Sequence, residues 1–182
     1  MIQLKHLVFE PYLKEEILLK RVKELAGAIN QDYQGKNPIF LAVLNGSFMF
    51  MSDICKEVSV DVTVSFIKIA SYSGVKSDGK VRDLIGLEES LEGKDVIIVE
   101  DIVDTGTSMS HLLDAISVRN PNSVEVVSLL TKPEALKKSI NIKYVGFEIP
   151  DLFVVGYGLD YDGLGRNLIK INTLFILKLH LC

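Results

Sequence analysis

Apolar positions follow two different rhythms along the chain. Between Lys14 and Gln31, Leu18, Val22, Leu25 and Ile29 recur at helical spacing and form one apolar face. Ile39-Phe40-Leu41-Ala42-Val43-Leu44 is continuously apolar, the pattern of a strand buried on both faces. Asn45-Gly46-Ser47 then turns the chain, with Ser47 in an N-cap position, into a helix over roughly Phe48 to Val58. Asp61 to Ile69 alternates as a strand does, whereas Ser71 to Leu84 is polar, contains Gly74 and Gly79, and reads as a long mobile loop. A second buried-strand run, Val96-Ile97-Ile98-Val99, precedes a turn and a helix that starts at Ser108. Ser123 to Leu130 and Ile169 to Leu177 read as further strands, and Lys178 to Cys182 follows no pattern. Strands alternating with helices predict an α/β fold with a mainly parallel central sheet flanked by helices. One domain spanning residues 1–182 is expected at this length. In such sheets ligands bind at the C-terminal strand ends. Asn45, Glu100, Asp101 and Lys132 all lie just past predicted strands, so they are positioned to share one crevice.

The segment between the second buried strand and its helix carries the chemistry. Glu100-Asp101-Ile102-Val103-Asp104-Thr105-Gly106-Thr107-Ser108 is an acidic pair, a third acid, then a Gly- and hydroxyl-rich turn. N–H groups opening a helix are unpaired and attract anions. Thr105, Gly106, Thr107 and Ser108 add hydroxyls and allow close backbone approach, which suits a phosphate. Glu100 and Asp101 would repel that phosphate, yet two carboxylates accept well from the O–H donors of a vicinal diol. Asp104 falls between the two subsites. A phosphate at one end and a diol in the middle describe a ribose 5-phosphate. Acids after a strand also serve as turn formers and caps, but the full string asks for more than that. No Gly-x-x-x-x-Gly-Lys-[Ser/Thr] loop occurs.

Composition narrows the classes further. Hydrophobic residues make up 48% and charged residues 24%, a globular balance, and the net charge of −4 argues against nucleic acid as main partner. Cys55 and Cys182, like His6, His111 and His180, are scattered without metal-ligand spacing, which argues against zinc. The N-terminus lacks a signal-peptide core and no stretch reaches membrane-spanning length, so a cytoplasmic location is expected.

Val99 to Gly106 resembles the phosphoribosyl-pyrophosphate signature of the type I phosphoribosyltransferases, and within them the hypoxanthine-guanine branch. Leu44-Asn45-Gly46-Ser47, Ser71-Tyr72, Lys132 and the stretch from Phe153 to Tyr161 match that branch in order and approximate spacing, covering most of residues 1–168. The resemblance implies a small hood built from N- and C-terminal segments, Mg²⁺ as cofactor, phosphoribosyl pyrophosphate and a 6-oxopurine as substrates, and a homo-oligomer, dimer or tetramer. It implies a pyrophosphate loop at Asn45 and Gly46 with a non-proline cis peptide at Leu44–Asn45, although many relatives carry Lys at the position of Asn45. Asp104 becomes the base near purine N7, and Thr105, Gly106, Thr107 and Ser108 the 5-phosphate loop. Lys132 becomes the donor to the 6-oxo group, Phe153 the ring stacked on the purine, and Val154 a backbone contact to its edge. Glu100, Asp101 and Asp160 are placed near Mg²⁺, Arg166 toward pyrophosphate, and Ser71 with Tyr72 on a closing lid. Gly165 stands where relatives often have an aromatic residue.

Three other readings compete. A regulator that senses phosphoribosyl pyrophosphate would keep Glu100 to Ser108 but needs a basic face and has no use for Lys132 with Phe153. A phospho-accepting signalling domain needs an acidic pair after its first strand, where this chain has Leu44-Asn45-Gly46. A xanthine-preferring relative differs only in the base it takes.

Overall fold

A computed structural model describes residues 1–69 and 84–175. Ser71, Tyr72 and nearly all of the expected lid loop lie outside the described residues, as does the chain after Phe175.

The central sheet follows from the two buried-strand runs. β3 (Ile39–Val43) is buried at every position. It pairs in parallel with β4 (Thr63–Ile69) on one side and β6 (Asp95–Val103) on the other. β7 (Ser123–Thr131) and β8 (Tyr144–Glu148) extend the parallel sheet beyond β6, and the two-residue β5 (Leu84–Ile85) pairs antiparallel with β4. The order is therefore β5-β4-β3-β6-β7-β8.

Alternation along β3 and β6 divides the core. Phe40, Ala42, Ile97 and Val99 face α1 (Glu15–Asp32) and α2 (Phe48–Glu57), while Ile39, Leu41, Val96 and Ile98 face α3 (Thr107–Ser117). The face predicted for α1 is the one that packs: Leu18, Val22, Leu25 and Ile29 are all buried. Arg21 fixes that helix to the sheet, donating from Nε to the Gly146 carbonyl at 2.9 Å and from Nη2 to the Val145 carbonyl at 2.8 Å.

A second sheet forms the hood. β1 (Ile2–Leu4), β2 (Leu7–Leu13), β10 (Ile171–Leu174) and β9 (Val154–Val155) lie in that order, all antiparallel. N- and C-terminal segments thus share one small sheet. Tyr157, buried in the core at 1% exposure, ties the segment after β9 to α2 through a 2.6 Å hydrogen bond from its hydroxyl to Asp53.

Several boundaries differ from expectation. β6 does not stop at Val99: Glu100, Ile102 and Val103 keep their partners Ser128, Leu130 and Thr131 on β7, so the acidic pair lies inside the strand. α3 begins one residue early, at Thr107. Ser47 does not cap α2; its hydroxyl donates back to the Val43 carbonyl at 2.6 Å. Leu84 belongs to β5 and not to the loop, and the final strand starts at Ile171 and not at Ile169. Among the described residues no helix is long and apolar enough to cross a membrane.

Candidate active site

The C-terminal ends of β3, β6, β7 and β8 open toward one side, and the loops that leave them meet there. Gly106, with φ of 75°, sits in the left-handed region where glycine carries no Cβ penalty, and it lets the chain turn from β6 directly into α3. A Cβ at this position would also meet the Lys138 carbonyl at 3.0 Å, so the turn packs tightly on the segment after β7. Lys137 N–H donates to the Thr105 carbonyl at 2.9 Å and braces it. Beside the turn is a cavity of about 290 Å³, lined by Glu100, Ile102, Val103, Asp104, Thr105, Gly106, Ser108 and Met109 with Val43 and Ile69. Thr107 and Ser108 are exposed there at the open start of α3.

Asp101 of the acidic pair is in direct contact with the Asn45–Ser47 turn. A Cβ on Gly46 would overlap Asp101 Oδ2, so glycine lets the turn and that carboxylate lie against each other without either moving. Asp101 is 9% exposed and accepts from the Ile102 N–H at 3.0 Å. Burial, and then the neighbouring Asp101 charge, push the Glu100 carboxyl well above the usual carboxylate range. Two carboxylates held this way favour a cation or O–H donors between them. The Leu44–Asn45 peptide is cis, as the resemblance implies, and Asn45 is exposed.

The hood closes on the same turn. Gly158 lies so near the Gly46 carbonyl that a Cβ would overlap it. Arg166 Nη1 donates to the Gly158 carbonyl at 2.7 Å, and its Nη2 lies 2.5 Å from Asp160 Oδ1. Asp160 also accepts from the Gly163 N–H at 2.6 Å, so it holds a local turn as well as an ion pair. Arg166 and Asp160 are therefore paired with each other, and Gly158, which Arg166 holds, lies against the Asn45–Ser47 turn.

Lys132, at 6% exposure, is far from the solvated side chain that a lone lysine after a strand suggests. Its backbone N–H donates to the Val103 carbonyl at 3.1 Å, placing it beside the end of β6. Its Nζ lies 3.0 Å from Asp104 Oδ2 and 3.0 Å from Asp151 Oδ1. Burial lowers its pKa, but the hydrogen bonds to Asp151 and Asp104 more than offset this and hold the ammonium above the ordinary lysine value. Two residues past Asp151, Phe153 presents a ring that is 45% exposed, set edge-on against Tyr161 at 5.9 Å and 6.1 Å from Phe9. Val154 is buried behind it on β9.

Of the residues singled out in sequence, the described ones gather along this crevice in three linked groups. Asp101 stands against Gly46; Glu100, Asp104, Thr105, Gly106 and Ser108 line the cavity; and Lys132 leads through the loop after β8 to Phe153. Asp151 was not anticipated. The one available signal was an acid in Ile149-Pro150-Asp151, between a strand and an aromatic residue, which any turn might contain.

A crevice at the carboxyl ends of a parallel sheet, with the Gly106 turn at one end and a buried lysine at the other, lies where α/β enzymes bind their ligands. Residues 10–162 match the profile of the phosphoribosyl transferase domain. The chain belongs to that family and is, with it, a transferase. The hypoxanthine-guanine phosphoribosyltransferase of Staphylococcus aureus strain Mu50 is 45% identical over 166 residues, 91% of this chain and 93% of its own length. That of Bacillus subtilis strain 168 is 39% identical over 172 residues, 94% and 96% of the two chains. The crystal structure of a hypoxanthine-guanine phosphoribosyltransferase from Bacillus anthracis superposes with a TM-score of 0.84 at 39% identity, covering 91% of this chain and 98% of that one.

Proposed function

We propose that this chain transfers a 5-phosphoribosyl group from phosphoribosyl pyrophosphate to N9 of hypoxanthine or guanine, giving IMP or GMP and pyrophosphate, with Mg²⁺ as cofactor. The observation that carries the choice of a purine is the buried Lys132 ammonium, 3.0 Å from Asp104 and at the end of the crevice that also holds Phe153. An ammonium is a donor only, so it favours a 6-oxo group and faces the 6-amino group of adenine with hydrogens.

Among the described residues no three His, Cys, Asp or Glu side chains gather to hold a metal alone. Mg²⁺ commonly takes one or two carboxylates and completes its shell with water and substrate phosphates. The Glu100–Asp101 pair fits that donor set, whereas Asp160, ion-paired with Arg166, is assigned to it by the family resemblance alone. Bound there with the substrate, Mg²⁺ supplies charge neutralisation to the departing pyrophosphate.

The chain's own residues do the rest. Thr105 to Ser108 hold the 5-phosphate through N–H groups and hydroxyls. Glu100 and Asp101 accept from the ribose hydroxyls, and Asn45 and Gly46 direct backbone toward pyrophosphate with Arg166. Phe153 stacks on the base while Lys132 orients it. Asp104, a carboxylate within reach of both subsites, accepts the purine proton near N7 as the bond to the ribose forms. Pyrophosphate release is to be assayed with hypoxanthine, guanine, xanthine and adenine in turn, with and without Mg²⁺. Turnover of the 6-oxopurines hypoxanthine and guanine with little adenine turnover is expected. Efficient use of adenine would defeat the base-pocket assignment, and turnover of xanthine alone would replace it with the xanthine-preferring reading.

A further inference from the structure

Lys132 is held by two carboxylates that differ in kind. Asp104 stands at the reaction centre and its charge changes if it takes the purine proton. Asp151, with its side chain 69% exposed, lies on the loop that runs from β8 to Phe153. Its position is set by the sheet: Thr131 pairs with Glu148, and the Ile149 N–H donates to the Thr131 carbonyl at 2.8 Å, which brings the start of the loop alongside Lys132. A buried ammonium left without a carboxylate is costly. With Asp104 as its only partner, Lys132 would lose its counter-charge whenever Asp104 became neutral, and that loss would oppose protonation of Asp104.

We propose that Asp151 is a positioning residue that keeps a carboxylate on Lys132 throughout turnover, so that Asp104 is free to accept a proton and Lys132 stays a donor-only reader of the purine 6-oxo group. The inference rests on the proposed base-pocket reading. Of the three N–H donors of Lys132, Asp104 and Asp151 engage two, which leaves one for the base. Because Asp151 and Phe153 share one short loop, the side chain that orients the lysine and the ring offered to the base are placed together.

The test compares the unmodified protein with Asp151→Asn, Asp151→Glu, Lys132→Ala and the Asp151→Asn/Lys132→Ala double variant. Steady-state kinetics are measured with hypoxanthine and with adenine at saturating phosphoribosyl pyrophosphate and Mg²⁺. Asp151→Asn should lower kcat/KM for hypoxanthine about tenfold, the range for one charged hydrogen bond, with the KM for phosphoribosyl pyrophosphate within about twofold of the unmodified value. Asp151→Glu should recover much of the loss. The double variant should be no worse than Lys132→Ala, because a residue acting through Lys132 has nothing to act on once the lysine is gone. Unchanged hypoxanthine kinetics in Asp151→Asn, with Lys132→Ala impaired, would overturn the inference alone. So would losses that multiply in the double variant, since these mark a role independent of Lys132. Normal 6-oxopurine kinetics in Lys132→Ala would overturn the base-pocket reading and this inference with it.

Discussion

At the scale of single residues, Asp101 and Lys132 keep charged groups at buried positions. Asp104 gives the most direct test of the site, because its proposed role needs proton affinity and not only shape. Asp104→Asn keeps an acceptor in place, and kcat is expected to fall by ~10²–10⁴-fold with little change in phosphoribosyl-pyrophosphate affinity, as for loss of a general base. Single-turnover rates with hypoxanthine check this, and near-normal chemistry would remove Asp104 from the role. Gly46→Ala places a methyl group on Asp101 Oδ2. The carboxylate or the turn must move, so calorimetry is expected to show weakened phosphoribosyl-pyrophosphate binding while the fold is retained. Glu100 makes a prediction of opposite sign for stability. Its carboxyl is raised on folding, so the folded chain holds a proton there that the unfolded chain has released. Stability therefore falls as pH climbs from the ordinary Glu value of 4.5 through the raised value. Glu100→Gln carries no such charge: its unliganded Tm should exceed that of the unmodified protein near about pH 8 and converge with it toward about pH 4.5. Melting curves that stay parallel across that range would exclude strain from this pair.

At the scale of elements, apolar periodicity located what packing controls and missed what pairing controls. α1, α2, β3 and β7 emerged within a residue or so of their observed limits because each buries a face that its sequence repeats. β6 was cut short at Val99 because Glu and Asp are poor strand formers on their own. Its continuation is decided by Ser128 to Thr131 across the ladder, which no local window contains. β2 escaped for a related reason. Pro11 removes a donor and reads against a strand, yet it is tolerated opposite Asn172, where the register with β10 shifts. The acids, the hydroxyl turn and Gly106 were readable because their order is itself the chemistry, whereas Asp151 was not, since its meaning depends on Lys132 lying within reach. One tertiary link joins these elements: the Tyr157 hydroxyl on Asp53. Tyr157→Phe leaves the volume and strands a half-buried acceptor that still has Lys56 at 2.7 Å, so a loss of ~1–2 kcal/mol is expected in urea unfolding. No change in the midpoint would mean that the hood is held on the sheet by packing and backbone contacts alone.

At the scale of the whole molecule, the α/β class and the crevice at the strand ends were legible from alternation of strands and helices. Of the hood's strands only β10 was read, starting two residues early, and its partners were not, because they lie at the opposite end of the sequence and across a turn-rich stretch. β10 lies between β2 and β9, so strands formed from residues 7–13 and 154–155 meet only through residues 171–174. This interleaving has a consequence during synthesis on the ribosome. The strands that carry the acidic pair and the Gly106 turn, through Thr131, emerge well before β10. The wall that carries Phe153 and Val154 has its neighbouring strand only after Leu174 is made. For that interval a nascent chain holds the acidic pair and the Gly106 turn beside an unfinished wall, so the proposed base pocket would be the last part of the crevice to be completed.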